Sequence, residues 1–201
     1  MNVSAIIVTR GDVDLDQILA SLPDEWEVLV WDNGDGSLMI WRDGEQIDDI
    51  DVSDVGVYGR YAAISYASHD VIYVQDDDCV LASPANVVAA YQPGTVTFNM
   101  PYAFRDSGVD SVMVGFGAVF DRGLPNKAFG KFSLVYKDGI VVVNPLFQRT
   151  CDMVFTTLTA TKMIHEPVEL LDYSYAENRM WQQPGHQEER RMIHDLASEA
   201  T

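Results

Sequence analysis

Three consecutive aspartates, Asp76, Asp77 and Asp78, break into an apolar run that begins Val71-Ile72-Tyr73-Val74 and resumes at Cys79-Val80-Leu81. Carboxylates on adjacent residues repel one another, so a folded chain keeps them ionised only against a cation or a set of hydrogen-bond donors. Hard oxygen ligands of this kind suit Mg²⁺ or Mn²⁺, which would in turn hold a substrate phosphate. The competing reading is an acidic surface turn in an acidic chain. The abrupt step from a β-branched run into the acids favours a site, because open α/β sheets take their ligands at the carboxyl ends of their strands.

The elements that must position these acids follow from hydrophobic periodicity. Val3-Ser4-Ala5-Ile6-Ile7-Val8 is a near-continuous apolar strand ending at the polar turn Thr9-Arg10-Gly11-Asp12. Residues 14–22 carry Leu15, Ile18, Leu19 and Leu22 at helical spacing, and Pro23 stops them. A second strand over 26–31 ends at Asp32-Asn33-Gly34-Asp35-Gly36, a strong turn signal. Residues 37–57 read as short strands or a hairpin around Asp43-Gly44, and 59–67 as a small-residue helix leading into the Val71 strand.

Further on, Ser83-Pro84 opens a helix to about Ala90. Strands are expected over 95–99, 115–121 and 168–171, with a short helix over 124–129. Lys137-Asp138-Gly139 reads as a hairpin joining two β-rich runs, and residues 150–159 as a helix beginning near Asp152. A polar tail with one helical stretch over 188–199 closes the chain. Strands alternating with helices predict an α/β sheet covered on both faces.

At 201 residues and 47 % apolar composition, one domain with a sizeable core is expected. The apolar runs are too short to cross a bilayer. Met1-Asn2-Val3-Ser4 lacks the basic start of a signal peptide, so the expected setting is the cytoplasm, with Cys79 and Cys151 as reduced, packed thiols. The net charge of −18 disfavours broad nucleic-acid binding. The acidic run containing Asp48, Asp49, Asp51 and Asp54 reads as a solvated loop or edge, since it lacks the glycine and terminal glutamate of a calcium loop.

Taken in order, the pieces resemble glycosyltransferases of the GT-A fold, especially the family-2-like and exostosin-like groups. Ile7-Val8-Thr9-Arg10-Gly11-Asp12 matches the nucleotide-contacting first loop, and Val30-Trp31-Asp32-Asn33-Gly34 the strand that ends near the base. Gly59-Arg60-Tyr61-Ala62-Ala63 sits where the family has a phosphate-side basic residue, and Asp76-Asp77-Asp78 looks like its DxD motif. Gly115-Phe116-Gly117-Ala118-Val119-Phe120 is similar to the acceptor-side strand, and Thr150-Cys151-Asp152-Met153-Val154-Phe155 resembles the element supplying a catalytic carboxylate. That element has one acid, Asp152, where relatives often have two. The chain is also short for the fold, which suggests a stripped acceptor region or an acceptor supplied by a large partner. Compact enzymes of this sort are frequent in bacteriophage genomes.

The resemblance implies a GT-A (Rossmann-like) domain over 1–201 with a mixed, mainly parallel sheet. Residues 1–100 would bind the nucleotide sugar, and 101–201 would serve the acceptor and catalysis. It implies a metal-dependent transferase using a nucleotide-sugar donor, UDP-linked by default, with Mn²⁺ or Mg²⁺. Thr9, Arg10, Gly11, Asp32, Asn33, Arg60, Asp76 and Asp77 would contact the donor; Asp78, with Asp76 and His186, would hold the metal. Asp152 would be the general base of an inverting displacement or the charge stabiliser of a retaining one, a choice left open. For Asp152 the alternative is a helix-terminal acid, and for His186 a surface histidine. The acceptor would be a protein side chain or glycan rather than a modified DNA base. Two rivals stand beside this reading. One is a haloacid-dehalogenase-like phosphohydrolase using Asp76 and Asp78, and the other a non-catalytic nucleotide-sugar or metal-binding module.

Overall fold

The structure, a computed structural model, describes residues 1–34, 38–50, 54–105, 112–136, 144–173 and 179–201. Its centre is the parallel trio β2 (Glu27–Asp32), β1 (Val3–Thr9) and β5 (Val71–Asp76). β3 (Leu38–Arg42) and β4 (Glu45–Ile50) extend one side as an antiparallel hairpin. Asp43 (φ 49°) and Gly44 (φ 83°) form its turn, both in the left-handed region that tight two-residue hairpins require. On the other side lie β8 (Ala118–Asp121), β7 (Val96–Phe98) and β9 (Thr161–Met163), giving the order β4-β3-β2-β1-β5-β8-β7-β9. Only β3 and β8 run against the rest, so the sheet is mixed and mainly parallel. β6 (Cys79–Leu81) leaves the aspartate turn to pair antiparallel with β10 (Leu170–Tyr173) in a small second sheet.

Alternation along the central strands divides the interior in two. Ile6, Val8, Ile72, Val74, Ala118 and Phe120 face one core, while Val3, Ala5, Tyr73 and Val119 face the other. The first core is closed by α2 (Gly59–Ala62), α5 (Leu124–Val135), α6 (Pro145–Thr157) and α7 (His186–Ser198). The second is closed by α3 (Pro84–Ala89) through Val87 and Val88, and by Leu22 just beyond α1 (Asp16–Ser21). Helices therefore cover both faces, as expected. The remaining helix, α4 (Tyr102–Arg105), is a single turn.

Three expectations need correction. The helix expected over 150–159 starts at Pro145, with the Asn144 side chain accepting from the Leu146 and Phe147 amides. Asp152 is thus a mid-helix residue, which removes the reading of it as a helix-terminal acid. Gly115 belongs to a 3₁₀ turn, Val114–Phe116, and the strand after it begins only at Ala118. The helix expected over 124–129 runs on to Val135, because buried Phe132 continues its apolar face. The hairpin at Lys137-Asp138-Gly139 lies outside the described residues. Among those described, no helix is long and apolar enough to cross a membrane.

Candidate active site

The carboxyl ends of β1, β2 and β5 open on a cleft of about 250 Å³ lined by Thr9, Arg10, Asn33 and the three aspartates. A second compartment of about 370 Å³ adjoins it and shares Asp76 and Asp78 with it. Asp76 closes β5, and the chain turns at Asp77 and Asp78 into β6. The strand is therefore two residues longer than Val71–Val74, and its hydrogen bonds fix the first aspartate in the sheet.

Each aspartate meets a different neighbour. Asp76 Oδ1 accepts from Arg60 Nη2 at 2.5 Å. Asp77 Oδ1 accepts from Arg179 Nη1 at 2.9 Å, and the Thr9 hydroxyl also bonds this side chain. Asp78 Oδ2 lies 3.9 Å from Arg179 Nε. The cations that the aspartate run requires are thus partly intramolecular. Burial raises the Asp77 carboxyl against the opposing pull of Arg179 and Thr9. Asp78 is pushed up to about 7, first by burial and then by Asp76, with Arg179 pulling it down.

Arg60 is only 2 % exposed, and it spans the site. Besides Asp76 it holds Asp152, whose Oδ2 stands 3.3 Å from Nη1. Asp152 Oδ1 accepts from the Tyr61 hydroxyl at 2.6 Å. Burial opposes the Arg60 charge, but Asp152 and Asp76 more than restore it, so the guanidinium stays charged. Burial and Asp152 drive the Tyr61 hydroxyl up, which keeps it a proton donor. The expectation set Arg60 beside a phosphate; here its charge is engaged by two carboxylates.

His186 begins α7 and is 6 % exposed, so it is no surface histidine. It lines the second compartment with Asp76, Asp78 and Asp152. Burial, helped by Arg190 and Arg149, lowers its pKa, leaving a neutral ring, and its Nδ1 has no hydrogen-bond partner among the described residues. Neutral imidazole is the form that ligates metals.

The base-side residues are less uniform. Asn33 spends its amide within the fold, accepting from Trp31 Nε1 at 3.0 Å and donating to the Gly56 carbonyl at 3.2 Å. Asp32 keeps a buried Oδ1 without a partner among the described residues, and burial raises its carboxyl. Gly11 packs against that carboxylate, and Arg10 pairs with Asp12 at the cleft's edge.

Asp76, Asp77, Asp78 and Asp152 face two bonded arginines, Arg60 and Arg179. With all four acids ionised, about two negative charges stay unbalanced, which suits one divalent cation with phosphate oxygens completing its shell. The donor set of carboxylates and one neutral imidazole fits Mn²⁺ or Mg²⁺. No group of three metal-ligating side chains is already gathered among the described residues.

No protein-family model and no curated protein matches the sequence. Solved structures do match the fold. S. aureus TarS 1–349 in complex with UDP-GlcNAc gives a TM-score of 0.59 at 11 % identity, covering 98 % of this chain and 66 % of that one. A second S. aureus TarS structure gives 0.50 at 12 % identity, covering 96 % and 39 %. The chain has the GT-A fold. It spans 66 % of the first of these structures and 39 % of the second.

Within that GT-A frame, Arg179 and Tyr61 are the site residues that sequence reasoning missed. Tyr61 stood beside Arg60 in a stretch already singled out, but only the fold brings its hydroxyl to Asp152. Arg179 lies 102 residues from its partner Asp77 and had no local signal.

Proposed function

We propose that this protein is a metal-dependent glycosyltransferase that moves a sugar from a nucleotide-sugar donor, UDP-linked by default, to an acceptor hydroxyl. The observation that carries the reading is Asp152 of α6 held by the same guanidinium as Asp76 of the aspartate turn. That arrangement sets a candidate base beside a candidate metal ligand. The TarS structure with UDP-GlcNAc supports the choice of donor class.

In this reading the nucleoside lies against Thr9, Arg10 and Asn33, which line the cleft, and Gly11 and Asp32, which pack on each other in the same two loops without lining it, complete the base and ribose side. Asp78, with Asp76 and His186, would hold Mn²⁺ or Mg²⁺, and a bound ion would supply Lewis-acid stabilisation of the diphosphate leaving group. Asp77, fixed by Arg179, orients the turn and borders the donor sugar. In an inverting displacement Asp152 takes the acceptor proton as the acceptor oxygen bonds to the anomeric carbon and the bond to the diphosphate breaks. In a retaining one the same carboxylate stabilises the cationic sugar. The acceptor is a protein side chain or a glycan hydroxyl.

Thermal unfolding with UDP-GlcNAc and other nucleotide sugars, with and without Mn²⁺, tests the reading, since a ligand that binds the native state raises its melting temperature. The expected result is a metal-dependent shift with one donor that disappears in Asp78→Ala. Silence across the whole panel would sink the proposal.

A further inference from the structure

The second compartment differs in character from the cleft over the aspartates. Phe104, Met113, Phe116, Met153 and Met180 line it, and the Phe104 and Phe116 rings meet at 4.6 Å. Methionine side chains are flexible and polarisable and adapt to varied apolar partners. A compartment of about 370 Å³ with a mainly apolar wall and a few convergent polar groups is of the size that takes up an organic group.

The arginines on its wall are already engaged. Arg60 is bonded to Asp76 and Asp152. Arg149 makes two hydrogen bonds to Glu189, at 2.6 and 3.2 Å. Arg190 is not free either. None of the three lining arginines is therefore available as a ready anion holder, and a chain of net charge −18 repels a polyanion. Asp152 reaches the same space, so whatever fills it lies against the proposed base.

We propose that the acceptor carries its reacting hydroxyl beside an apolar aryl or alkyl group, which this compartment takes up while the hydroxyl meets Asp152. The inference rests on the glycosyltransferase reading and narrows its acceptor. A wholly polar glycan would leave the methionine and phenylalanine surface without a partner and would strip water from its own hydroxyls against it.

A matched pair of ligands tests it on the full chain. Methyl and phenyl β-D-glucoside carry the same sugar hydroxyls and differ only in the apolar group. Titration calorimetry should find the phenyl compound bound at least about tenfold more tightly, the scale expected for burying a ring. Met153→Glu, which puts a charge into the compartment at a half-buried helix position, should erase that preference; Met153→Leu should keep it. If Met153→Glu does not fold, Met153→Gln takes its place. Equal affinities for the two glucosides, or a preference untouched by the polar variant, overturns the proposal. The UDP-GlcNAc shift with Mn²⁺, read on the same samples, reports the donor side separately. Its presence beside equal glucoside affinities removes the acceptor class alone, whereas a panel-wide absence of donor shifts removes the glycosyltransferase reading beneath it.

Discussion

Gly115 packs against Asp76 so closely that a Cβ on it would lie 1.9 Å from the Asp76 Oδ2 oxygen. Any side chain there must push the carboxylate aside, because the backbone of β5 cannot follow. Gly115→Ala should therefore weaken Mn²⁺-dependent donor binding without altering a single charge. Overpacking of this kind typically costs about 1–3 kcal/mol of stability. Urea unfolding and a Mn²⁺ titration by calorimetry would check both halves, and unchanged metal affinity would contradict the placement of Asp76.

Arg60 is buried between two acids, so removing it leaves Asp76 and Asp152 facing each other uncompensated. Arg60→Met is expected to destabilise the fold by about 3 kcal/mol, the scale for breaking a buried pair from one side. Arg60→Lys keeps the charge but cannot present two nitrogens in a fixed fork, so it should fold better than Arg60→Met while losing most turnover. Urea midpoints and steady-state rates distinguish the two losses.

Arg179 should matter most when no metal is present. Arg179→Met leaves Asp77 and Asp78 in one turn without their internal cation. The metal-free variant should melt lower than the parent, and Mn²⁺ should raise its melting temperature by more than it raises the parent's. A Mn²⁺ shift smaller than the parent's would show that Arg179 does not stand in for an ion.

The aspartate turn also sets a pH dependence. Asp78 titrates near 3.8 when unfolded and at about 7 when folded, chiefly because it is buried and then because of Asp76. Across that window Asp78 holds more proton in the native state than in the unfolded one, while His186, lowered by burial, works against it at the upper end. The Asp78 contribution to the stability of the metal-free protein should therefore fall as pH rises from the lower value to the upper, then level off. Asp78→Asn should flatten much of that slope, with Asp77, also raised, retaining part of it. Urea midpoints across the window measure the effect.

Much of the frame was legible because it rests on local patterns. The β1 and β5 runs, the helical stripe before Pro23 and the Asp43-Gly44 turn each encode their own geometry within a few residues. The gathering of Asp76-Asp77-Asp78 and Thr9 in one cleft was readable because they sit at the ends of those elements. It was not readable where two distant segments meet. Nothing near Arg60 announces that it turns inward to two carboxylates rather than outward, and nothing near Arg179 names Asp77. The start of α6 was missed because the apolar positions on its first turn follow Pro145, upstream of the acid that drew attention.

The bond between Asp77 and Arg179 also sets an order of assembly. Chains are made from the amino terminus, and the segment carrying Arg179 emerges about a hundred residues after the turn it neutralises. Through that interval the nascent aspartates carry their mutual repulsion with half of their internal counter-charge still unmade. The turn gains its second internal counter-charge only once the segment carrying Arg179 has emerged and folded back onto it, so the charge balance of the cleft closes after β5 and β6 are already made.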